Sequence, residues 1–397
     1  MLRRAAAVLL ACLTASLVAA EVPAPLAALS PVEAFDYVVG TQTFGARYQF
    51  TAKPRLLETA EAIRDMGSNI LKFQMSKGYG EKWGNIPAAD PAIKTLTDLA
   101  REPTHKQVLD MPFGHYLIWA YCFTSEGWNK GFAPEDREKE YREMYDFARH
   151  LLVAYNGSGK TFLLGHWEGD WHLTPPPGKD DPTPAAIQGM IDWLNVRQKA
   201  VDDAQHDTPH KNVRVFQYTE VNLVRKGMKG RPCVTNAVLP KTQVDYVSYS
   251  SYDSLGGDTA RRLREALDYI ESKLPPKPAV AGKRVFIGEY GFPLTQGRTP
   301  AEQDELSRTV MRTGLEWGCP YVLYWEMFNN EVLADGTQRG FWLIDNNGKK
   351  QPVYFTHQRY SEQARKFVAD FEKANRRLPT PDEFRKQAVT FLDSAAK

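Results

Sequence analysis

Short apolar runs alternate with amphipathic stretches along nearly the whole chain, and that alternation limits its possible folds more than any other feature. Runs at residues 35–44, 69–73, 116–123, 161–167, 213–218, 244–249, 284–293 and 321–325 read as buried strands, rich in β-branched and aromatic residues. Between them, residues 54–66, 91–101, 134–155, 183–203, 258–274 and 300–317 read as helices. In the first of these Leu56, Leu57, Ala60 and Ile63 share one side, and Gly67 suits its end. Eight strands alternating with helices imply a parallel sheet with right-handed crossovers. An open doubly wound sheet would alternate similarly, but no Gly-rich phosphate loop accompanies this pattern. The expected fold is therefore α/β, a (β/α)8 barrel of the TIM type. The link after the fifth strand, which lacks a clear long helix, is its weakest unit.

The 397 residues suit one such barrel with extensions. Residues 1–20 read as a secretory signal: Arg3 and Arg4, then an apolar stretch, then Val18-Ala19-Ala20 before Glu21. That stretch is too short for a membrane anchor. Cys12 lies in a weaker lipoprotein-like box, so a secreted or periplasmic location is the expectation. Residues 21–34 form a Pro/Ala-rich leader and 35–360 the barrel. Residues 361–397 form a charged, helical C-terminal extension with a solvated face. Without the signal, 48 basic residues face 48 acidic ones. Such a balance gives no support for a nucleic-acid partner. Cys122, Cys233 and Cys319 match no metal spacing and allow at most one disulfide.

Three strand ends carry acids. The fourth gives His166-Trp167-Glu168-Gly169-Asp170-Trp171, the fifth Glu220, and the seventh Ile287-Gly288-Glu289-Tyr290-Gly291. An unpaired carboxylate is costly to bury, so packing does not explain an acid at the end of an apolar run. In a parallel barrel, side chains at the carboxyl ends of strands face the active-site mouth. Glu289 is thus the leading catalytic candidate, and the acids of the other two strand ends, Glu168, Asp170 and Glu220, stay open beside it. Each acid also admits a structural role, as a strand-end carboxylate paired to a nearby donor.

These residues resemble the clan A glycoside hydrolases, retaining enzymes built on eight-stranded α/β barrels. The resemblance covers about residues 35–360 by pattern, and no family within the clan is assigned. It implies Glu168 as acid/base and Glu289 as nucleophile, 121 residues apart in sequence, with Asp170 and Glu220 in reserve for the acid/base role. It also implies Tyr252 beside the nucleophile and Trp325 as the floor of the reacting sugar's subsite. Residues 340–345, with Gly348 and Pro352, resemble the closing segment of such enzymes. The chain departs from the clan pattern where Trp167 stands in place of the usual Asn, and where Ser250 stands where a histidine is common. Trp167 and His166 complete the expected substrate-binding set, although His166 equally suits a core. Trp83, Trp119, Trp128 and Trp171 are packing residues as readily as sugar platforms.

Other chemistries fit less well. His166, Glu168, Asp170 and His172 alternate, but flanking glycines suggest a turn and no second cluster completes a metal site. Gly159-Lys160-Thr161 lacks the leading glycine of a phosphate loop and precedes a strand. The expected function is glycosidic cleavage of a poly- or oligosaccharide by double displacement, with no cofactor or metal. The competing reading, motivated by the displaced Asn, is a carbohydrate-binding barrel that no longer turns over substrate.

Overall fold

The structure, a computed structural model, describes residues 27–80, 85–86, 88–125, 127–174 and 180–393. The signal sequence, Cys12, Trp83 and the prolines at 175–177 lie outside the described residues. Eight parallel strands close into one barrel in chain order. They are β1 (Val39–Gln42), β2 (Ile70–Met75), β3 (His115–Ala120), β4 (Thr161–Gly165), β5 (Arg214–Val221), β6 (Tyr246–Ser250), β7 (Val285–Tyr290) and β8 (Val322–Tyr324). The helices that follow β1 to β4 are α1 (Arg55–Asp65), α2 (Leu96–Arg101), α3 (Pro103–Asp110), α4 (Pro134–Ala154), α5 (Gly169–Leu173) and α6 (Pro184–Asp207). Those after β5 to β8 are α7 (Val224–Met228), α8 (Thr259–Glu271), α9 (Pro300–Trp317), α10 (Pro352–Asn375) and α11 (Pro381–Phe391). The (β/α)8 barrel is as expected.

The strands are apolar along both faces because each is covered twice. Ile70, Leu117, Leu163, Phe286 and Leu323 fill the barrel, while a larger shell packs between the strands and the helices. Closure runs through the pairing of β1 with β8, Val39 opposite Val322 and Thr41 opposite Tyr324.

Two boundaries differ from the sequence reading. The helix expected over 91–101 begins only at Leu96, and an unexpected second helix follows it, because Pro103 opens α3 and the Glu102 carboxylate caps it, accepting the Thr104 and His105 N–H groups. Helix α10 runs unbroken across residue 360, with Val353, Tyr354, Tyr360, Ala364 and Val368 buried on one side. It is the barrel's eighth helix. Beyond it α11, opened by a Thr380/Glu383 capping box, buries Phe384 against Phe35 (ring centroids 5.0 Å apart) and packs Phe391 near Tyr360. The short fifth link is α7 followed by a π-turn at Val234–Val238.

One irregularity positions the site. Ser248 pairs with Phe286 and Tyr249 with Ile287, but Ser250 pairs with Glu289, so Gly288 is an extra residue on β7. A bulge of this kind re-aims the next side chain. A Cβ on Gly288 would lie 1.7 Å from Ser248 Oγ, so the bulge requires glycine. Its product is a serine and a glutamate side by side at the carboxyl end of the barrel.

Candidate active site

Glu168, Ser250, Tyr252, Glu289 and Trp325 all line one cavity of about 670 Å³ at the barrel mouth. Glu289 follows the Gly288 bulge and is buried. Its Oε1 lies 3.4 Å from Lys72 Nζ, and its Oε2 lies 3.3 Å from Ser250 Oγ. Burial raises its pKa well above the usual carboxylate range; Lys72 opposes that rise, and Glu220 and Glu168 add to it.

Glu168 sits between β4 and α5 with φ 20° and ψ 77°, a backbone state that non-glycine residues seldom adopt. Three contacts hold it there. Its N–H donates to Glu220 Oε1 (2.9 Å), its Oε2 accepts from Trp171 Nε1 (2.6 Å), and its Oε1 lies 2.6 Å from Ser250 Oγ. Burial pushes its pKa up to about 7. Ser250 Oγ thus touches both carboxyls, and its two distances bound Glu168 Oε1 and Glu289 Oε2 to within about 6 Å of each other; retaining glycosidases hold their two carboxyls about 5–5.5 Å apart.

The reserve acids do other work. Asp170 spends both oxygens on backbone N–H groups of Asn222 and Leu223 (3.0 Å each) and Val234 (2.8 Å), tying α5 to the fifth link. Glu220 lies beneath the cavity, where its Oε2 accepts from Lys72 Nζ (2.9 Å) and Ser248 Oγ (2.6 Å).

Lys72, on β2, has no counterpart in the sequence reading. It is fully buried, donates also to the Gly288 carbonyl (3.0 Å), and lies 4.3 Å from the Trp119 ring centroid. The only local signal was a lysine in the run Ile70-Leu71-Lys72-Phe73; its partners lie on β5 and β7.

Among the other expected residues, Trp325 lines the cavity and donates its indole N–H to Glu331 (3.2 Å). Desolvation and the nearby Glu289 hold the Tyr252 phenol well above its ordinary pKa, so it remains a donor at neutral pH. Trp167 is 38% exposed and stands between this cavity and a second, mostly apolar one of about 480 Å³ lined in part by Phe44 and Tyr121. Phe44 and Trp325 also meet across that boundary, with ring centroids 6.0 Å apart. His166 does not line either cavity. It is fully buried, its Nε2 2.7 Å from Thr219 Oγ1 and its Nδ1 3.0 Å from the Trp167 carbonyl, so it supports the strand end. Trp171 lines the cavity and Trp119 packs inside the barrel. Among the described residues no group of three His, Cys, Asp or Glu is placed to hold a metal, and no helix is long and apolar enough to cross a membrane. The three cysteines are not joined to one another.

No protein-family model matches the chain, and no curated protein matches it in sequence. Solved structures do match in fold. A family 5 glycoside hydrolase variant from Streptomyces cattleya, in complex with Manβ1-4GlcNAc, aligns at TM-score 0.53 and 12% identity over 84% of this chain and 82% of that one. A family 5 broad-specificity endoglucanase from Clostridium acetobutylicum aligns at TM-score 0.51 and 11% identity, over 81% of this chain and 96% of that one. A family 39 glycoside hydrolase from Bacteroides cellulosilyticus aligns at TM-score 0.50 and 12% identity over 82% of this chain, which spans 64% of that one's length. At such identities the likeness is one of fold, and it agrees with the clan A barrel expected from the strand-end residues.

Proposed function

We propose that the chain is an exported retaining glycoside hydrolase acting on a poly- or oligosaccharide, with Glu289 as nucleophile and Glu168 as acid/base. The observation that carries this reading is the pair of mouth-facing glutamates joined through one serine hydroxyl, with oxygens within about 6 Å. The barrel's glycosidase neighbours in fold support the same reading.

In this mechanism a Glu289 oxygen attacks the anomeric carbon while the glycosidic C–O bond breaks and the Glu168 proton passes to the leaving oxygen. The result is a glycosyl ester on Glu289 and an ionised Glu168. Glu168 then takes a proton from water as that water's oxygen attacks the anomeric carbon, releasing Glu289 and restoring the original configuration. A Glu168 pKa of about 7 suits a group that must be protonated in one step and ionised in the next. Trp325 offers an aromatic face to the sugar, and Tyr252 a phenolic donor near Glu289.

The test is a pair of variants on aryl glycosides and polysaccharides. Glu289→Gln abolishes turnover with every leaving group. Glu168→Ala slows substrates with poor leaving groups by about 10²–10⁴, spares acidic phenols, and with azide yields a sugar azide of retained configuration. Equal slowing of both substrate types, with no azide effect, removes Glu168 from the role. Retention of polysaccharide in an affinity gel without any reducing-end release would favour the binding-barrel reading.

A further inference from the structure

The Ser250 hydroxyl lies 2.6 Å from Glu168 Oε1 and 3.3 Å from Glu289 Oε2. A serine hydroxyl carries one proton and two acceptor lone pairs. It cannot donate to two carboxylates at once, so filling both contacts takes a second proton, carried by one of the carboxyls. The remaining partners indicate which. Glu289 Oε1 faces the Lys72 ammonium, and an adjacent cation favours the ionised acid. Glu168 Oε2 faces the neutral indole N–H of Trp171, which the carbonyl oxygen of an undissociated acid also accepts. Glu220, the third acid, already accepts from the Glu168 N–H, Ser248 and Lys72, an all-acceptor role suited to a carboxylate.

We propose that Ser250 is a positioning residue that assigns the one proton shared by the two glutamates to Glu168. In the resting site Glu168 Oε1–H donates to Ser250 Oγ, and the Ser250 O–H donates to the Glu289 carboxylate. Once the Glu168 proton has passed to the leaving oxygen and Glu289 has become an ester, the negative charge lies on Glu168. The Ser250 hydroxyl then turns its own proton to Glu168. Ser250 gains and loses no proton; it follows the charge. A histidine at this position would bring a titration of its own, which the serine avoids. The use of this device rests on the glycosidase reading, but the proton placement rests on the contacts alone.

The other titratable groups around the pair are disposed to leave that choice undisturbed. Tyr121 beyond β3, Tyr218 on β5 and Tyr252 beyond β6 are held as neutral phenols by desolvation. His166 and His172 are held as neutral imidazoles by the same cause. Beyond β8, Glu331 is paired with Arg339, and burial raises the pKa of Glu326, which accepts the Phe44 and Asn330 N–H groups.

The experiment is a pH titration of the substrate-free protein labelled with [δ-13C]glutamate, followed by NMR. Glu168→Gln and Glu289→Gln assign the two signals. Burial raises both acids, but Lys72 and the Ser250 O–H oppose the rise at Glu289, so in the native protein Glu289 ionises first and Glu168 holds its proton to the higher pH. A hydrogen bond to a charged group is worth about 1.5–3 kcal/mol, or about one to two pH units. Ser250→Ala therefore raises the Glu289 midpoint by about that much and lowers that of Glu168, drawing the two together. Ser250→Thr, which keeps the hydroxyl, restores the separation. Where turnover is measurable, Ser250→Ala also moves the acid limb of kcat/KM upward. Unchanged midpoints in Ser250→Ala, or a rise confined to Glu168, overturn the proposal. If the titrations behave as described but no glycoside is turned over, the proton placement stands and the glycosidase reading falls.

Discussion

Replacing Lys72 by Met tests the electrostatic core of the site without requiring a substrate. The ammonium is buried among Glu220 at 2.9 Å, the Gly288 carbonyl at 3.0 Å and Glu289 at 3.4 Å. Met fills most of its volume but leaves two buried carboxyls without a cation. Breaking a buried pair from one side costs about 3–5 kcal/mol. At about 2.1 cal/mol/K per residue, that corresponds to a fall of about 4–6 °C in Tm for this chain. The loss depends on pH. Lys72 lowers the pKa of Glu289, so its removal raises that pKa further. A folded-state pKa raised above the unfolded one gives stability that is present below the unfolded value and lost as pH rises through the folded one. The Lys72→Met deficit is therefore small near pH 4.5 and full near pH 8. Calorimetry of both proteins at those two pH values measures it. An equal deficit at both, or none at pH 8, would refute the reasoning.

Three further outcomes follow from the same geometry. Glu168, with a pKa of about 7, must be protonated to act as the acid, so kcat/KM falls as pH rises through about 7; Glu168→Gln removes the matching loss of stability between its usual value of 4.5 and about 7, read from Tm against pH. Gly288→Ala places a Cβ 1.7 Å from Ser248 Oγ and 3.2 Å from Glu220 Oε2, and overpacking of this kind costs about 1–3 kcal/mol, so both Tm and activity fall. Trp167→Ala leaves Tm within about 1 °C, because the ring is an exposed rim between two cavities. It lowers kcat/KM on long oligosaccharides by about 2- to 10-fold, the worth of one aromatic contact, and on short ones much less; a chain-length series measures the contrast.

The barrel was legible because its strands are buried on both sides and so stand out as apolar runs between helices with distinct starts and ends. Thr299-Pro300 with Glu302 opens α9, and Gly318 closes it in a left-handed conformation. The acids at the ends of β4 and β7 were legible for the same reason, as charges where burial alone would not place them. The polar floor was not. Lys72 meets acids 148 and 217 residues away, and no local pattern marks such a partner. The role of Ser250 depends on a one-residue bulge at Gly288, which shows only once β6 and β7 are paired. The eighth helix was legible in part. Its buried positions continue at helical spacing from Val353 to Val368, but the change in composition after residue 360 looked like a boundary.

The most direct test of the central claim is to trap the covalent intermediate. The protein is incubated with a panel of activated 2-deoxy-2-fluoro glycosides, which form the ester faster than water removes it, and is then weighed and digested for mass spectrometry. The account predicts a mass gain of one fluorosugar, carried by the peptide containing Glu289 and absent from Glu289→Gln. A label on Glu168, Glu220 or any other residue, or turnover of a natural substrate with inverted product and no label at all, would contradict it.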